Sequence, residues 1–278
     1  MKMKVVADSS CDLNESLKKE LNITRVPLRL YVDDEEFIDD DNLDVSDLMA
    51  KVRKSSKVAR SACPSPKDFM NAYMGDESVF VVTMTSRLSG TYNSAVMAKE
   101  IFCEEVKNKF IHIFDTKGAS IKETLVSIKI SELIKQNYDE MKIVEKVNEY
   151  MNEMKFYFNL GSVDTLVKNG RISKLKGMIA SVLNIKPILT GDEEGEIQLV
   201  ENVRSEKKAF RRMIELIGES GSKFEDKILG IAHCNAKELA EKFKDEAMKL
   251  YNFKDVIIVP TGGLSSIYTN EGGILIAF

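Results

Sequence analysis

Three times in the first half of the chain, a short apolar run gives way to a polar turn. KVVA delivers Asp8, Ser9 and Ser10. SVFVVTM leads into a turn holding Ser86, Ser89, Gly90 and Thr91, and KFIHIF leads into Asp115 and Thr116. Each run has the length of a strand, and helical compositions, LNESLKKEL and NSAVMAKEIF, follow the first two. Asp12 or Asn14 is placed to cap the first of these helices. Strands that alternate with helices predict a parallel α/β sheet, whose carboxyl ends share one edge, and that edge is where ligands usually bind.

Between the first two units, ITRVPLRLYVDDEEFIDDDNLD alternates enough to predict a hairpin, with Asp33, Asp34, Glu35 and Glu36 around its turn. The acidic run Asp39, Asp40, Asp41 and Asp44 lacks the glycine and terminal glutamate of an EF-hand loop. It reads as a solvated turn, with Asp44 capping a helix over residues 45–53. YDEMKIVEKVNEYMNEM, residues 138–154, reads as a charged last helix of a first domain. Beyond it, KFYFNLGS, IKPILTGD, EIQLVENVR, KILGIAH and KDVIIVP are strand candidates. SEKKAFRRMIELIGE and AKELAEKFKDEAMKLY are the helices between them. The pattern predicts two domains, a parallel α/β unit over residues 1–158 and an α+β or α/β sandwich over 159–278, with a soft boundary.

Composition narrows the function classes. The chain has 278 residues, 44% hydrophobic and 30% charged, which is ordinary for a globular protein with one large core or two smaller ones. A net charge of -4 supplies no basic field for a phosphate backbone, and no basic recognition helix stands out, so nucleic acid is not an expected partner. Cys11, Cys63, Cys103 and Cys234 lie far apart, with only His112 and His233 to complete a site, so no metal is expected. The opening MKMKVVADSSCDL lacks a signal-peptide core and no apolar run is long enough to span a bilayer, so the expected location is the cytoplasm.

The candidate chemistry lies in three stretches. In TSRLSGTYNSA a helix begins just after Ser89 and Gly90, and a helix N-terminus attracts anions through its unpaired amides. Ser89 is placed to cap that helix, and Gly90 lets a ligand approach the backbone. In ARSACPSPKDF, Pro64 and Pro66 stiffen a loop that holds Ser61 and Ser65 before a helix near Lys67. In LVKNGRISKLKGMIASVLNIKPILTGD, Arg171 is suited either to pair with a carboxylate or phosphate or to tie two loops through backbone carbonyls. Each stretch also has a purely structural reading as a helix entry or loop tie. Nucleophilic and nucleotide-dependent catalysis lack support. Ser89 sits in R-L-S-G-T and not in a G-x-S-x-G elbow, and Walker A and G-x-G-x-x-G patterns are absent.

Taken together, D-S-S-x-D-L at 8–13, C-P-S-P at 63–66, S-x-L-S-G-T-Y at 86–92, D-T at 115, N-G-R-I-S at 169, K-P-I-L at 186 and V-R-x-x-K-K-A at 203–209 resemble the DegV family. With a glycine-rich end, the resemblance spans nearly the whole chain. It implies a two-domain DegV-like fold, a Rossmann-like parallel α/β domain followed by an α/β sandwich domain. One long-chain fatty acid is expected between them. It also implies a partner, the separate ATP-dependent subunit of a bacterial fatty acid kinase, to which the chain presents the acyl carboxylate for acyl-phosphate formation. The chain itself would then hold no catalytic residue and no cofactor beyond the bound lipid, and would touch membranes transiently if at all.

On that resemblance, Ser61, Ser89 and the Gly90 backbone bind the head group, Arg171 contacts the partner or the phosphorylated product, and MIASVLNI, FYFNL and some of the 13 methionines wall the tunnel. The chain departs from the family in three places. Ser61-Ala62 stands for Thr-Ser, and Asn169-Gly170-Arg171 for Gly-Gly-Arg. Tyr268-Thr269-Asn270 stands where a His-Thr-Gly-x-Gly histidine helps hold the carboxylate. Tyrosine donates a hydrogen bond but carries no positive charge near neutral pH. Two rival readings remain. One is an enzyme acting on a small anionic substrate, with Asp8, Asp115 or His233 as acid or base. The other is a regulatory scaffold whose lipid is structural filler.

Overall fold

The computed structural model describes residues 2–172 and 185–278. The strand-like runs of the first half assemble into a parallel sheet in the order β2 (Thr24–Val26), β1 (Met3–Asp8), β6 (Ser78–Thr83) and β7 (Ile111–Asp115). All six residues of β6 are buried, as a parallel strand covered on both faces requires. The expected hairpin forms from β3 (Arg29–Val32) and β4 (Glu35–Ile38), and β5 (Arg60–Ala62) completes a small antiparallel sheet. Asp33 takes the left-handed conformation its turn needs, φ 53°, while Glu35 and Glu36 belong to β4 itself.

Helix starts follow the capping chemistry. Asn14, not Asp12, caps α1 (Glu15–Leu21) by accepting from the Leu17 amide. Asp44 caps α2 (Val45–Lys54) by accepting from Ser46 and Asp47. Ser65 and Asp68 form a reciprocal capping box on α3 (Pro66–Tyr73), with proline in its first turn. One expectation fails at this level. Asp39 is not in a solvated turn: it is 1% exposed, and its carboxylate is committed to backbone amides described below.

The second sheet is mixed and six-stranded, in the order β10 (Ile197–Arg204), β9 (Ile185–Gly191), β8 (Phe156–Asn159), β13 (Ile274–Ala277), β11 (Ile228–His233) and β12 (Asp255–Pro260). The chain passes from one sheet to the other between α6 (Glu140–Glu153) and β8, so residue 158 lies inside β8. The two faces of this sheet have different covers. Leu229 and Ile231 of β11 pack with α8 (Glu206–Ser220) and α9 (Lys237–Leu250), around Met213, Ile217 and Phe243. Gly230 and Ala232, pointing the other way by strand alternation, face the first half of the chain.

What they face is α5 (Ile121–Lys135), a helix with no solvent side to speak of: 11 of its 15 residues are buried. It packs on β1 and β6 of the first sheet and on β11 and β13 of the second, so one core, from Phe80 and Phe114 to Phe158 and Leu275, spans both. Two further helices matter for the site, α4 (Thr91–Glu105) and the short α10 (Gly263–Thr269). Among the described residues no helix is long and apolar enough to cross a membrane.

A β-carbon built on Gly230 lies 2.5 Å from Ile121 Cγ1, so any side chain there pushes α5 off the second sheet. Gly230→Val is expected to cost about 1–3 kcal/mol, the usual penalty of overpacking, seen as a lower urea midpoint. An unchanged midpoint would show that α5 is not seated against β11.

Candidate functional site

The carboxyl ends of β1, β6 and β7 do share one edge, and a cavity of about 310 Å³ lies between that edge and the second sheet. Its floor is apolar: Phe156, Phe158, Leu160, Leu275 and Ile197 come from one face of the six-stranded sheet and its margins, and Met84 from the first. Its polar lining is made of neutral groups for the most part, including Ser10, Thr85, Ser120 and Ser265. An apolar volume with a few convergent donors is the usual form of a small-molecule pocket, here at the lower end of the size range.

The hydroxyl turn after β6 is built by local bonds. Asp115 accepts the Ser86 amide at 3.2 Å and the Lys117 amide at 3.1 Å, joining the β6 and β7 loops. Thr85 reaches across to the β9–β10 turn, donating its hydroxyl to the Gly195 carbonyl at 3.1 Å. The turn then enters α4 with Gly90 as N-cap and no side-chain cap. This corrects the expected role of Ser89. Its hydroxyl lies 2.8 Å from that of Thr91 and accepts the Thr91 amide at 3.3 Å, one position short of a capping bond. Ser89 takes the Thr91 amide, and no side chain caps the amides that follow it in the first turn of α4.

The rigid loop of Pro64 and Pro66 docks on the same turn. Ser94 in α4 donates to the Pro64 carbonyl at 2.6 Å, and a β-carbon on Gly90 would lie 3.2 Å from Cys63 Sγ, a tight contact between the two loops. Ser61, paired with Leu30 in the small sheet, has its hydroxyl 3.2 Å from that of Tyr268 on α10. Ser61, Ser89, Gly90, Tyr268 and Arg171, five residues spread over some 210 positions of sequence, all line the one cavity. Arg171 takes the loop-tying option: its guanidinium donates to the Leu88 carbonyl at 3.2 Å and the Asn169 carbonyl at 2.6 Å. Phe156, Phe158 and Leu160 of FYFNL are wall residues, whereas MIASVLN of the second candidate wall segment and Ser173 lie outside the described residues.

The acid–base candidates go elsewhere. Asp8 accepts the Met84 amide at 2.8 Å together with the Ser10 amide and hydroxyl. Asp115 shapes the turn as above. His233 accepts the Ala236 amide at 3.3 Å ahead of α9, and burial lowers its pKa. None of the three lines the cavity.

Behind the cavity wall lies a group of buried acids, Asp12, Asp39 and Glu123, whose burial local sequence patterns do not reveal. Asp12 accepts the Gly262 amide at 2.7 Å and the hydroxyls of Ser120 and Ser265. Asp39 accepts the amides of Gly263 at 2.9 Å and Leu264 at 3.1 Å, plus the Ser9 hydroxyl at 2.8 Å. Glu123 has one oxygen hydrogen-bonded with the Ser10 hydroxyl, and among the described residues its other oxygen has no hydrogen-bond partner. Burial, then the nearby Asp8 charge, holds Glu123 well above the usual carboxylate range. Burial likewise pushes Asp12 up to about 7. Arg25, itself largely buried, donates to the Ser9 carbonyl at 3.0 Å and supplies positive charge beside Asp39.

The whole chain has known relatives. The sequence model of a family described as "Uncharacterised protein, DegV family" matches residues 2–278. A DegV domain-containing protein of Streptococcus pyogenes serotype M1 is 36% identical over 280 residues, covering 100% of this chain and 99% of the relative. A DegV family protein from Ruminococcus gnavus, refined with vaccenic acid, superposes with a TM-score of 0.95 at 36% identity, covering 100% of this chain and 99% of that one. The fatty acid kinase B3 protein of Streptococcus pneumoniae, loaded with linoleic acid, gives a TM-score of 0.92 at 32% identity over 100% of this chain and 99% of that one. A Eubacterium eligens family member loaded with heptadecanoic acid gives 0.91 at 31% identity over 99% and 98% of the two chains.

The buried acids make stability fall with rising pH. For Asp12 the folded pKa, about 7, stands above the ordinary 3.8, so its contribution is complete below 3.8 and is lost as pH rises through 7. Asp8, Asp39 and Glu123 shift in the same direction. The urea midpoint is therefore expected to drop between pH 5 and pH 7.5, and Asp12→Asn to flatten that slope. A midpoint that rises over this window would contradict the assignment.

Proposed function

The chain belongs to the DegV family, and from that premise we propose that it binds one long-chain fatty acid in the cavity between its two sheets. The observation that carries this reading is the arrangement of the cavity: an apolar floor of Phe156, Phe158, Leu160 and Leu275, with hydroxyls and an uncapped helix start on its wall. The tail lies along the floor. The carboxylate lies against the first turn of α4, with Ser61, Ser89 and Tyr268 as hydroxyl donors and the Gly90 backbone close by. The fatty acids in the solved relatives support the ligand class.

Tail and head do different work. A chain of about sixteen carbons, at roughly 0.8 kcal/mol per buried methylene, supplies on the order of 10 kcal/mol before the costs of immobilisation. A neutral hydrogen bond adds only about 0.5–1.5 kcal/mol net. Tail burial therefore sets affinity, and the hydroxyls and amides set orientation. Met84, unbranched and adaptable, suits a wall that follows a flexible chain.

The protein acts as a carrier and not as a catalyst in this reading, because the strand-end acids are spent on backbone amides and none reaches the cavity. Likeness to a fatty acid kinase B3 protein supports presentation of the bound carboxylate to a separate ATP-using subunit, with Arg171, an exposed residue of the cavity lining, as the contact for partner or product. Its four cysteines are free thiols, in keeping with a cytoplasmic setting.

Denaturing the purified protein, extracting with organic solvent and identifying the released lipid by mass spectrometry tests the ligand. One equivalent of a C14 to C18 fatty acid per chain is expected. Absence of lipid together with failure to take up added palmitate or oleate would overturn the reading. Ser89→Ala is expected to weaken palmitate binding by about two- to tenfold, the range of one neutral hydrogen bond, while loosening the carboxylate in a crystal structure. An unmoved, fully ordered head group in that variant would remove Ser89 from the site.

A further inference from the structure

The feature that the carrier function leaves unused is the pair of buried carboxylates at the start of α10. Three successive amides, those of Gly262, Gly263 and Leu264, donate to Asp12 and Asp39, which belong to the other half of the chain. Asp12 sits on the loop after β1. Asp39 sits at the end of β4, with its own amide fixed to the Leu28 carbonyl at 3.0 Å. Asp39 and Ser61 therefore belong to one small sheet unit, and Gly263 and Tyr268 to one short helix. The two pairs face each other: carboxylate to amides at one end, and hydroxyl to hydroxyl, Ser61 to Tyr268, at the other. Five residues of helix, about 7.5 Å of rise, separate the contacts.

We propose that Asp39 is a positioning residue for the fatty-acid head group, holding α10 in the register that brings the Tyr268 hydroxyl to Ser61 at the cavity. The proposal rests on the reading of this cavity as the fatty-acid site. Three details single out Asp39. Each hydrogen-bond partner of its carboxylate among the described residues is a donor, two amides and the Ser9 hydroxyl, with the Arg25 charge nearby. An asparagine there has one oxygen to offer, and its amide group would point a donor at a donor. Second, the fit leaves no slack. A β-carbon on Gly263 would lie 2.6 Å from Asp39 Oδ1 and 2.4 Å from a Leu43 methyl. Third, Leu264 and Ile267 of α10 are buried in the core of the small sheet and α2, with Leu30 and Leu48, so packing keeps the helix against this unit while the Asp39 carboxylate sets where along it the helix starts.

Tyr268 is where this matters. Its hydroxyl meets that of Ser61 at the cavity, and its reach is decided by the helix that carries it. The far end of α10 is tied within the second half by the Gly161 amide, which donates to the Thr269 carbonyl at 2.8 Å. The start of the helix is hydrogen-bonded to the unit that carries Ser61 through Asp39, beside the apolar packing of Leu264 and Ile267.

The test has a ligand-free arm and a ligand arm. Crystal structures of ligand-free wild type and Asp39→Asn report the Ser61–Tyr268 contact directly. The contact is expected to open beyond hydrogen-bond distance in the variant, and its retention would overturn the proposal. In the ligand arm, palmitate and 1-hexadecanol are titrated into wild type, Asp39→Asn, Tyr268→Phe and the double variant. Asp39→Asn and Tyr268→Phe are each expected to reduce the preference for palmitate over the alcohol by about three- to tenfold, and the double variant no further than either alone. Additive losses would show that Asp39 does not act through Tyr268. If wild type binds neither ligand, the fatty-acid reading fails while the ligand-free arm still decides the positioning role. Should Asp39→Asn not fold, Ser9→Ala, which removes one hydrogen bond from the same carboxylate, carries both arms with the same expected directions.

Discussion

Everything at the cavity depends on backbone amides of one half of the chain being held by carboxylates of the other. The amides of residues 262–264 meet Asp12 and Asp39 where water is excluded, and both acids are 1% exposed. Taking a carboxylate out of water is expensive, and it persists only where its hydrogen-bonding capacity is filled. Here it is filled by donors from two units at once. Pulling the units apart would strip donors from buried charges, so the arrangement makes intermediate separations costly. The shared core around α5 supplies the cohesive free energy, while the carboxylates fix the geometry.

A cavity made in this way has its chemistry divided by origin. The second sheet contributes the aromatic and aliphatic floor. The strand ends of the first sheet contribute loops, hydroxyls and the start of α4. An amphiphile with a long tail and a single anionic head matches that division. Ser61, Ser89 and Tyr268 at the cavity offer hydroxyl donors.

Much of this was legible in the sequence because it rests on local patterns. Strands that end in Asp, Ser or Thr, the Asp44 cap and the stiffened loop before α3 follow from residue chemistry within a few positions. Features governed by distant partners were not. Asp39 looked like one more solvated acid in DDDNLD because its amide donors lie more than 220 residues away. Buried nearly all round, α5 lacks the polar face by which an amphipathic helix is recognised, and it went unassigned along with β13 and α10. Ser89 was expected to cap α4, and the one-residue shift to Gly90 shows how little a sequence says about where a helix starts when serine, glycine and threonine are adjacent. Arg171 had two readings, and the carbonyl-tying one is what its guanidinium does in the structure.

The most direct measurement of the account is a crystal structure with ω-bromohexadecanoic acid, located by the anomalous signal of its bromine. The account predicts one bromine site per chain over the apolar floor of Phe156, Phe158 and Leu275, with the carboxylate at Ser61, Ser89 and the first turn of α4. Bromine beside Ser89 and Tyr268 would mean that the ligand runs the opposite way, and a cavity free of bromine at saturating ligand would contradict fatty-acid binding itself.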